Sequence, residues 1–146
     1  MPQAIQTMTS YLIAILLAFA IMAYEKHAKA ADLEYRIGVY PASQAAPIAD
    51  IIYVHGYADR YDNHIPLFNS WNALGFRVIS FDLPSHGMAR GKLLDHYGFA
   101  ELARLFNEVE LKTLEDKNRP LILAGWSTGG LLVTRILQAP MFFIRP

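Results

Sequence analysis

One serine in this sequence has a setting that is typical of an acyl-transfer nucleophile. Ser127 is the central residue of GWSTG. This motif begins at the last residue of the apolar run LILAG and continues into the helical run STGGLLVTRILQ. A serine at a sharp strand-to-helix turn is lifted clear of the sheet, and the residues two before and two after it must be small. We predict Ser127 as the nucleophile and Gly125 and Gly129 as the residues that shape the turn. The helix N-terminus then points at the reacting carbonyl, so the N–H of Thr128 is a predicted oxyanion donor.

The alternative for this motif is an ordinary glycine loop, and the flanking strand and helix favour the turn.

A second motif, His55-Gly56-Tyr57, follows the earlier apolar run IIYV. A second oxyanion donor comes from the loop after such a strand. Gly56 lets the backbone approach closely, and the N–H of Tyr57 is the predicted donor. The alternative for this motif is an ordinary glycine turn at the end of a strand. His55 could act as a general base, but we favour a role in shaping the loop through hydrogen bonds to the backbone.

The segment FDLPSHGMARG, residues 81–91, is a polar turn that follows another apolar run. Asp82 and His86 could belong to a catalytic triad, but we favour a structural role for both. Asp82 would accept hydrogen bonds from loop N–H groups, as Asx residues do, and His86 with Gly87 would fix the turn. The remaining loop acids and histidines are predicted to be solvated or capping residues, with the last near a helix start: Asp59, Asp62, His64, Asp95 and His96.

Alternating strands and helices would position these residues. Strand patterns cover residues 33–40, 51–54, 77–81 and 121–125, of which the last three are apolar enough to be buried. Helical patterns cover residues 62–74, 96–116 and 127–138, and Gly75 is a plausible stop for the first. The predicted apolar faces of the first two helices consist of Ile65, Phe68, Trp71 and Leu74, and of Phe99, Leu102, Leu105, Phe106 and Val109. Such alternation predicts a parallel α/β sheet with right-handed crossovers and functional groups at the carboxyl ends of strands.

Composition excludes several classes of site. The chain has 146 residues, which favours one domain, and no cysteine, which excludes disulfides and a thiol nucleophile. Its five histidines lack the spacing of a metal-binding helix, so we expect no metal site. The formal net charge is zero, with no basic stripe, so nucleic acid is not an expected partner.

The first thirty residues differ from the rest. No charged residue precedes Glu25, and residues 11–24 are apolar apart from tyrosines. Ala28 and Ala30 form the small-x-small pattern of a signal-peptidase site. The apolar run of about 14 residues is short for a spanning helix, which needs about 20. The segment also lacks the early Lys or Arg of a signal peptide, so an uncleaved anchor, a buried helix or a misplaced start stays open. We expect residues 1–30 to be a signal peptide or membrane anchor. Residues 31–146 would then be an exported (secreted or periplasmic) or membrane-anchored domain, with membrane association through residues 11–24.

The motifs VHGYADRY, FDLPSHGMARG and LILAGWSTGG, in this order, resemble the α/β-hydrolase fold family. They look most like the lysophospholipase, monoacylglycerol lipase and serine-aminopeptidase-like group, where H-G is followed shortly by R-Y, here Arg60-Tyr61. The later turn in that group reads D-x-x-G-H-G-x-S-x-G. Ser85 stands where the family usually has Gly, Ala89 where it usually has Ser, and Trp126 where His is common.

The resemblance implies an α/β-hydrolase fold, a parallel sheet with flanking helices, truncated after the helix that follows Ser127. It also implies acyl transfer from a carboxylic ester to water. Ser127 would attack the ester, the N–H groups of Tyr57 and Thr128 would hold the oxyanion, and a histidine oriented by an acid would move the proton. The implied substrate is a small-molecule ester or a lipid such as a lysophospholipid or monoacylglycerol. No metal or organic cofactor is implied.

The catalytic acid and base are missing from their expected place. In this fold the chain order is Ser, then Asp or Glu, then His, yet residues 128–146 contain none of these three. We expect this chain to be the N-terminal part of such an enzyme and inactive alone. A non-catalytic, membrane-associated remnant is the alternative, and an oxidase-like relative would need the same histidine. The strand LILAG would lie at an open sheet edge, which favours aggregation and poor solubility.

Overall fold

The computed structural model describes residues 34–138. The predictions for residues 1–30, including the signal peptide and the membrane association of residues 11–24, lie outside the described residues. Within residues 34–138 the elements are β1 (Ile37–Tyr40), β2 (Ala49–Val54), α1 (Ile65–Ala73), β3 (Phe76–Phe81), α2 (Phe99–Thr113), β4 (Leu121–Gly125) and α3 (Thr128–Gln138). Short 3₁₀ turns at Tyr61–His64 and Leu94–His96 precede α1 and α2.

The sheet has the strand order β1-β3-β2-β4. β2 runs parallel to both β3 and β4, and its Ile51 pairs with Val78 on one side and Ile122 on the other. The predicted parallel sheet with helical connections is therefore confirmed for these three strands. β1 pairs antiparallel with β3 and is shorter than the pattern at residues 33–40 suggested.

Two apolar layers cover the faces of the central strand β2. Every residue of β2 is buried, and successive side chains point to opposite faces, as the two-residue period of a strand requires. Ile52 and Val54 pack with α2 and α3. Ile51 and Tyr53 pack with Phe68 of α1 on the other face. The β-branched run in this strand thus stabilises a sheet that is covered on both sides.

Two residues of the predicted apolar faces lie at the surface instead. Leu74 is 67% exposed because it follows the last residue of α1, where the chain reverses at Gly75 with a φ of 94°. Phe99 is 44% exposed because it is the first residue of α2, and its ring lies under the Arg135 guanidinium at 5.9 Å. Helical periodicity placed both on the core side, but each lies where the regular helix begins or ends.

β4 lies at an edge of the described sheet, with β2 as its neighbour. The prediction of an open edge agrees with this position, whereas the prediction of a fully buried strand is wrong. Ile122 is 41% exposed because its side chain shares the face of Ile51, and α1 covers that face over β3 and β1 rather than over β4. No helix within residues 34–138 is long and apolar enough to cross a membrane.

A buried ion pair joins the amino ends of β2 and β3. Ser127 follows the carboxyl end of β4, at the opposite end of the parallel strands. Arg77 Nε donates to Asp50 Oδ1 at 2.8 Å, and Arg119 Nη1 donates to the same oxygen at 3.0 Å. Both Asp50 and Arg77 are buried. Burial opposes ionisation of Asp50, but the hydrogen bonds and charges of the two arginines outweigh it and lower the pKa of this carboxyl. The sequence patterns did not indicate this cluster, because its members lie far apart in the chain.

We predict that Arg77→Met lowers the free energy of unfolding by about 3 kcal/mol or more, because it leaves a buried carboxylate without its main partner. Arg90→Met is the matched control: Arg90 is 83% exposed and lies 3.9 Å from Glu34, so its loss should cost less than about 1 kcal/mol. The double variant Asp50→Asn/Arg77→Met should recover part of the loss. Urea unfolding checks all three, and equal losses for Arg77→Met and Arg90→Met would contradict the prediction.

Candidate active site

Ser127 lies at the junction of β4 and α3 in a strained conformation. Its φ is 51°, in the left-handed region that costs an L-residue about 1–2 kcal/mol. Two backbone hydrogen bonds hold the turn: Trp126 N–H donates to the Val54 carbonyl at 3.0 Å, and Gly129 N–H donates to the Trp126 carbonyl at 2.9 Å. A strained serine between a strand and a helix is the geometry that presents a nucleophile above a sheet.

Steric contact explains why glycine flanks this serine on both sides. A Cβ atom at Gly125 would lie 2.5 Å from the carbonyl carbon of Gly129. A Cβ atom at Gly129 would lie 2.1 Å from the Val54 oxygen and 2.5 Å from the His55 oxygen. Any side chain at either position would collide with backbone, which cannot move aside without displacing β2 or α3.

The loop after β2 passes directly beside Ser127. A Cβ atom at Gly56 would lie 3.2 Å from Ser127 Cβ and 3.0 Å from Trp126 Cδ1. Tyr57, the next residue, therefore follows the point of closest approach. Thr128 is the first residue of α3, where backbone N–H groups lack carbonyl partners within the helix. The structure thus brings together the segments of both predicted donors, and their role in holding an oxyanion stays a prediction.

His55 holds the loop after β2 and does not reach towards Ser127. Leu83 N–H donates to its Nε2 at 2.9 Å, so Nδ1 carries the proton and donates to the Gly56 carbonyl at 2.7 Å. Burial lowers the pKa of His55, and this effect outweighs the opposing hydrogen bond to Gly56 and the charge of Asp82. Asp82 Oδ1 is 3.8 Å from Nε2, too far for a hydrogen bond. The neutral His55 ring therefore bonds backbone groups through both nitrogens and joins the loop after β2 to the turn after β3.

His86 makes the same kind of contact in the turn after β3. Ala58 N–H donates to its Nε2 at 3.0 Å, and Nδ1 donates to the Pro84 carbonyl at 2.8 Å. The ring therefore joins the turn after β3 to the loop after β2. Ser85, where the resembled family usually has glycine, has a φ of 60°. Glycine suits that conformation better than serine does.

Asp82 accepts hydrogen bonds from two loop N–H groups, those of Tyr61 at 3.2 Å and Met88 at 2.9 Å. A Cβ atom at Gly87 would lie 2.3 Å from Asp82 Oδ2, so this turn requires glycine. Asp82 and His86 therefore support the loops, and neither contacts Ser127. Across residues 34–138, no group of three or more His, Asp or Glu side chains is arranged to hold a metal ion.

Comparison with known proteins agrees with this geometry. The sequence model of the Alpha/beta hydrolase family matches residues 51–145. This chain belongs to the α/β hydrolase family. No curated protein matches this hydrolase-family chain.

Solved structures similar to this α/β hydrolase chain include the monoacylglycerol lipase of Paleococcus ferrophilus, at 28% identity and a TM-score of 0.58, covering 70% of this chain and 37% of that one. A carboxyl esterase from Bacillus coagulans has 18% identity and a TM-score of 0.61, covering 70% and 34%. The thioesterase domain of the curacin biosynthetic pathway has 23% identity and a TM-score of 0.61, covering 75% and 38%. The predicted α/β-hydrolase fold is confirmed, and the chain spans little more than a third of each of these proteins.

Hydrogen bonds link three side chains of this hydrolase-family protein: Tyr53 of β2, His64, and Asp59 in the loop after β2. Tyr53 Oη lies 3.0 Å from His64 Nδ1, and His64 Nε2 lies 2.7 Å from Asp59 Oδ2. Burial raises the pKa of Tyr53 to about 12. Burial opposes ionisation of Asp59, but hydrogen bonds, first from Asn63 and then from His64, lower its pKa to about 2. His64 and Asp59, predicted as solvated loop or capping residues, lie in the loop and the 3₁₀ turn after β2 with side chains about a fifth exposed. Their link to Tyr53 was not predicted, and it follows because the hydroxyl of a buried tyrosine needs a partner.

The other loop acids lie at the surface of the described residues. Asp62 pairs with Arg60, whose side chain is half exposed, and Asp95 is exposed in the 3₁₀ turn before α2. His96 ends the same turn, close to the start of α2 as predicted.

We predict that Gly129→Ala lowers the free energy of unfolding by about 3 kcal/mol or more, because overpacking against rigid backbone lies at the upper end of the usual cost. Gly130→Ala is the matched control. Its Cβ atom would lie 3.2 Å from the Gly125 oxygen and 3.7 Å from the Gly125 carbonyl carbon, and alanine favours the helix by about 1 kcal/mol. Thermal unfolding followed by circular dichroism compares the two variants. Similar melting temperatures would contradict the prediction, because they would show that a methyl group fits between Gly129 and the Val54 carbonyl.

We predict that Asp59 makes the chain sensitive to acid. Its folded pKa of about 2 lies below the ordinary aspartate value of about 3.9, so its stabilising contribution is present above pH about 4. That contribution is lost as the pH falls from about 4 to about 2. Asp59→Asn should flatten the pH dependence of unfolding in this window relative to the unsubstituted chain. Urea unfolding across the window is the measurement, and identical profiles for the variant and the unsubstituted chain would contradict the prediction.

Proposed function

We propose that this chain is the nucleophile-bearing part of a serine hydrolase that cleaves carboxylic esters through an acyl-enzyme on Ser127. One observation carries the proposal: Ser127 has a φ of 51° at the strand–helix junction, between two glycines that backbone contacts require. Backbone strain of this kind persists where the surrounding structure enforces it, and it clusters at reactive sites. The esterase and lipase names of the similar structures support ester hydrolysis.

In the proposed reaction the Ser127 hydroxyl loses its proton to a base as Oγ attacks the ester carbonyl carbon. The carbonyl electron pair moves onto its oxygen, which accepts hydrogen bonds from the N–H groups of Tyr57 and Thr128. The alcohol leaves with a proton, and water then attacks the acyl-enzyme to release the acid and regenerate the serine. Preorganised backbone donors suit this reaction, because they stabilise charge that develops only in the transition state.

Residues 34–138 supply no general base that is hydrogen-bonded to Ser127. No histidine follows Ser127 in the sequence. His55 and His86 each have both ring nitrogens bonded to backbone groups, and His64 is bonded to Tyr53 and Asp59. No hydrogen bond between Ser127 and a histidine occurs in the described part of the chain. We therefore propose that the chain alone has little or no turnover.

For substrate and location we propose a lipid-like or small ester and an exported or membrane-anchored protein. A monoacylglycerol lipase at 28% identity supports a monoacylglycerol-like or lysophospholipid-like ester. The exposed apolar side chains beside the turn support the same class, since Tyr57 is 70% and Trp126 63% exposed. The location rests on the sequence of residues 1–30, with membrane association through residues 11–24.

The test combines covalent labelling with turnover on the 146-residue chain. A fluorophosphonate probe should label Ser127 slowly, and mass spectrometry of the labelled peptide should find no adduct in Ser127→Ala. Ser70→Ala is the control, because Ser70 is an exposed serine of α1 whose Oγ donates to the Pro66 carbonyl. Hydrolysis of p-nitrophenyl esters should be roughly 10⁴–10⁶-fold below that of an enzyme with a complete triad.

The two readouts separate the two parts of the proposal. Labelling that stays no stronger than in Ser127→Ala even after long incubation would favour the non-catalytic remnant. Rapid ester turnover that Ser127→Ala abolishes would instead contradict the absence of a base. A structural view of the intact turn would decide neither, because the turn can persist in an inactive protein.

A further inference from the structure

A pocket of about 240 Å³ opens beside the loop that follows β2. Its walls come from this loop, from the turn after β3 and from the 3₁₀ turn that precedes α2. The lining residues are Tyr57, Ala58, Ser85, His86, Leu93, Leu94 and Asp95. Tyr57 lines this pocket and also supplies a predicted oxyanion donor, so the pocket shares one residue with the predicted site.

The pocket carries negative charge. Asp95 is exposed, and none of the ion pairs found among residues 34–138 involves it. His86 does not supply a compensating charge, because its Nε2 accepts a hydrogen bond from Ala58 N–H at 3.0 Å and the ring is therefore neutral. No lysine or arginine contributes to the lining. Asp95 is thus the acidic residue of this pocket lining, with no lysine or arginine beside it.

An aromatic ring and an apolar wall accompany this carboxylate. The Tyr57 side chain is 70% exposed, and its ring packs edge-to-face against His86, with ring centroids 5.4 Å apart. Leu93 is 63% exposed and offers an apolar surface within the same lining. An aromatic face attracts organic cations through its quadrupole, and a carboxylate adds direct charge attraction. These are the chemical features that recognise a quaternary ammonium group.

The volume of the pocket limits the size of the ligand that it can bind. Sites for drug-sized ligands begin at about 300 Å³, and this pocket is smaller. A compact head group fits such a volume, whereas a long acyl chain would not. The combination of small volume, negative charge and an aromatic wall therefore favours a small cation over an extended lipid tail.

We propose that this pocket binds a small organic cation, such as a trimethylammonium head group, carried by the ester substrate. The proposal rests on the proposed function and narrows its substrates to esters with a cationic head group. Tyr57 and Asp95 determine this specificity through their side chains, whereas the reaction itself uses the N–H of Tyr57.

The test measures binding of choline to the 146-residue chain, in comparison with the neutral isostere in which carbon replaces the quaternary nitrogen. Choline should cause saturable shifts of the backbone amide signals of Tyr57, Leu93 and Asp95 in NMR spectra. The isostere should bind at least about twofold to fivefold more weakly, and Asp95→Asn and Tyr57→Leu should each weaken choline binding by a similar factor. Glu108→Gln is the control, because it removes one acidic charge from the half-exposed ion pair with Lys112 outside the pocket.

Equal affinity for choline and its isostere would overturn the proposal and identify an apolar subsite instead. Choline binding that survives both Asp95→Asn and Tyr57→Leu, or the absence of saturable shifts, would also overturn it. The measurement needs no turnover. Failure of choline binding would therefore leave the labelling of Ser127 unaffected, and failure of labelling would leave choline binding to be judged by itself.

Discussion

The close approach of α3 to the carboxyl end of β2 is the constraint on which the site depends. The backbone at Gly129 is so near the Val54 carbonyl that a Cβ atom would lie 2.1 Å from its oxygen. The same carbonyl accepts a hydrogen bond from Trp126 N–H. With the chain held at both points, Ser127 between them has to turn sharply, and its φ of 51° follows. The loop at Gly56 then passes beside the serine, so the predicted donor at Tyr57 follows directly in the chain.

Polar groups in the interior serve this arrangement by holding loops. His55, His86 and Asp82 each bond backbone groups of the loops after β2 and β3, and no buried side-chain polar atom within residues 34–138 lacks a partner. Satisfied polar groups of this kind specify one loop conformation, since an unpaired alternative would carry the cost of desolvation. The histidines near Ser127 are therefore explained by loop structure, although their residue type and position also suit a triad.

The buried ion pair lies at the amino ends of the strands, and the candidate site lies at their carboxyl ends. The buried pair of Asp50 and Arg77 joins the amino ends of β2 and β3, whereas the nucleophile, the predicted donors and the small pocket lie at the carboxyl ends. This division is general for parallel sheets, because the loops at the carboxyl ends are free to vary while the strands carry the core. At these carboxyl ends, no histidine of residues 34–138 is hydrogen-bonded to Ser127, and His55, His64 and His86 bond other groups.

Local sequence alone determined the central strands, the helices that follow them and the glycines around Ser127. Periodicity and turn sterics act over a few neighbouring residues, so IIYV, RVISF and GWSTG are readable from the sequence. Only the tertiary structure decided that β1 is antiparallel, that Phe99 is exposed, and that Asp50 meets Arg77 in the core. The same holds for the link from Tyr53 through His64 to Asp59. Such contacts join residues whose separation in the chain carries no periodic signal, so they appear only when the sheet order brings distant segments together.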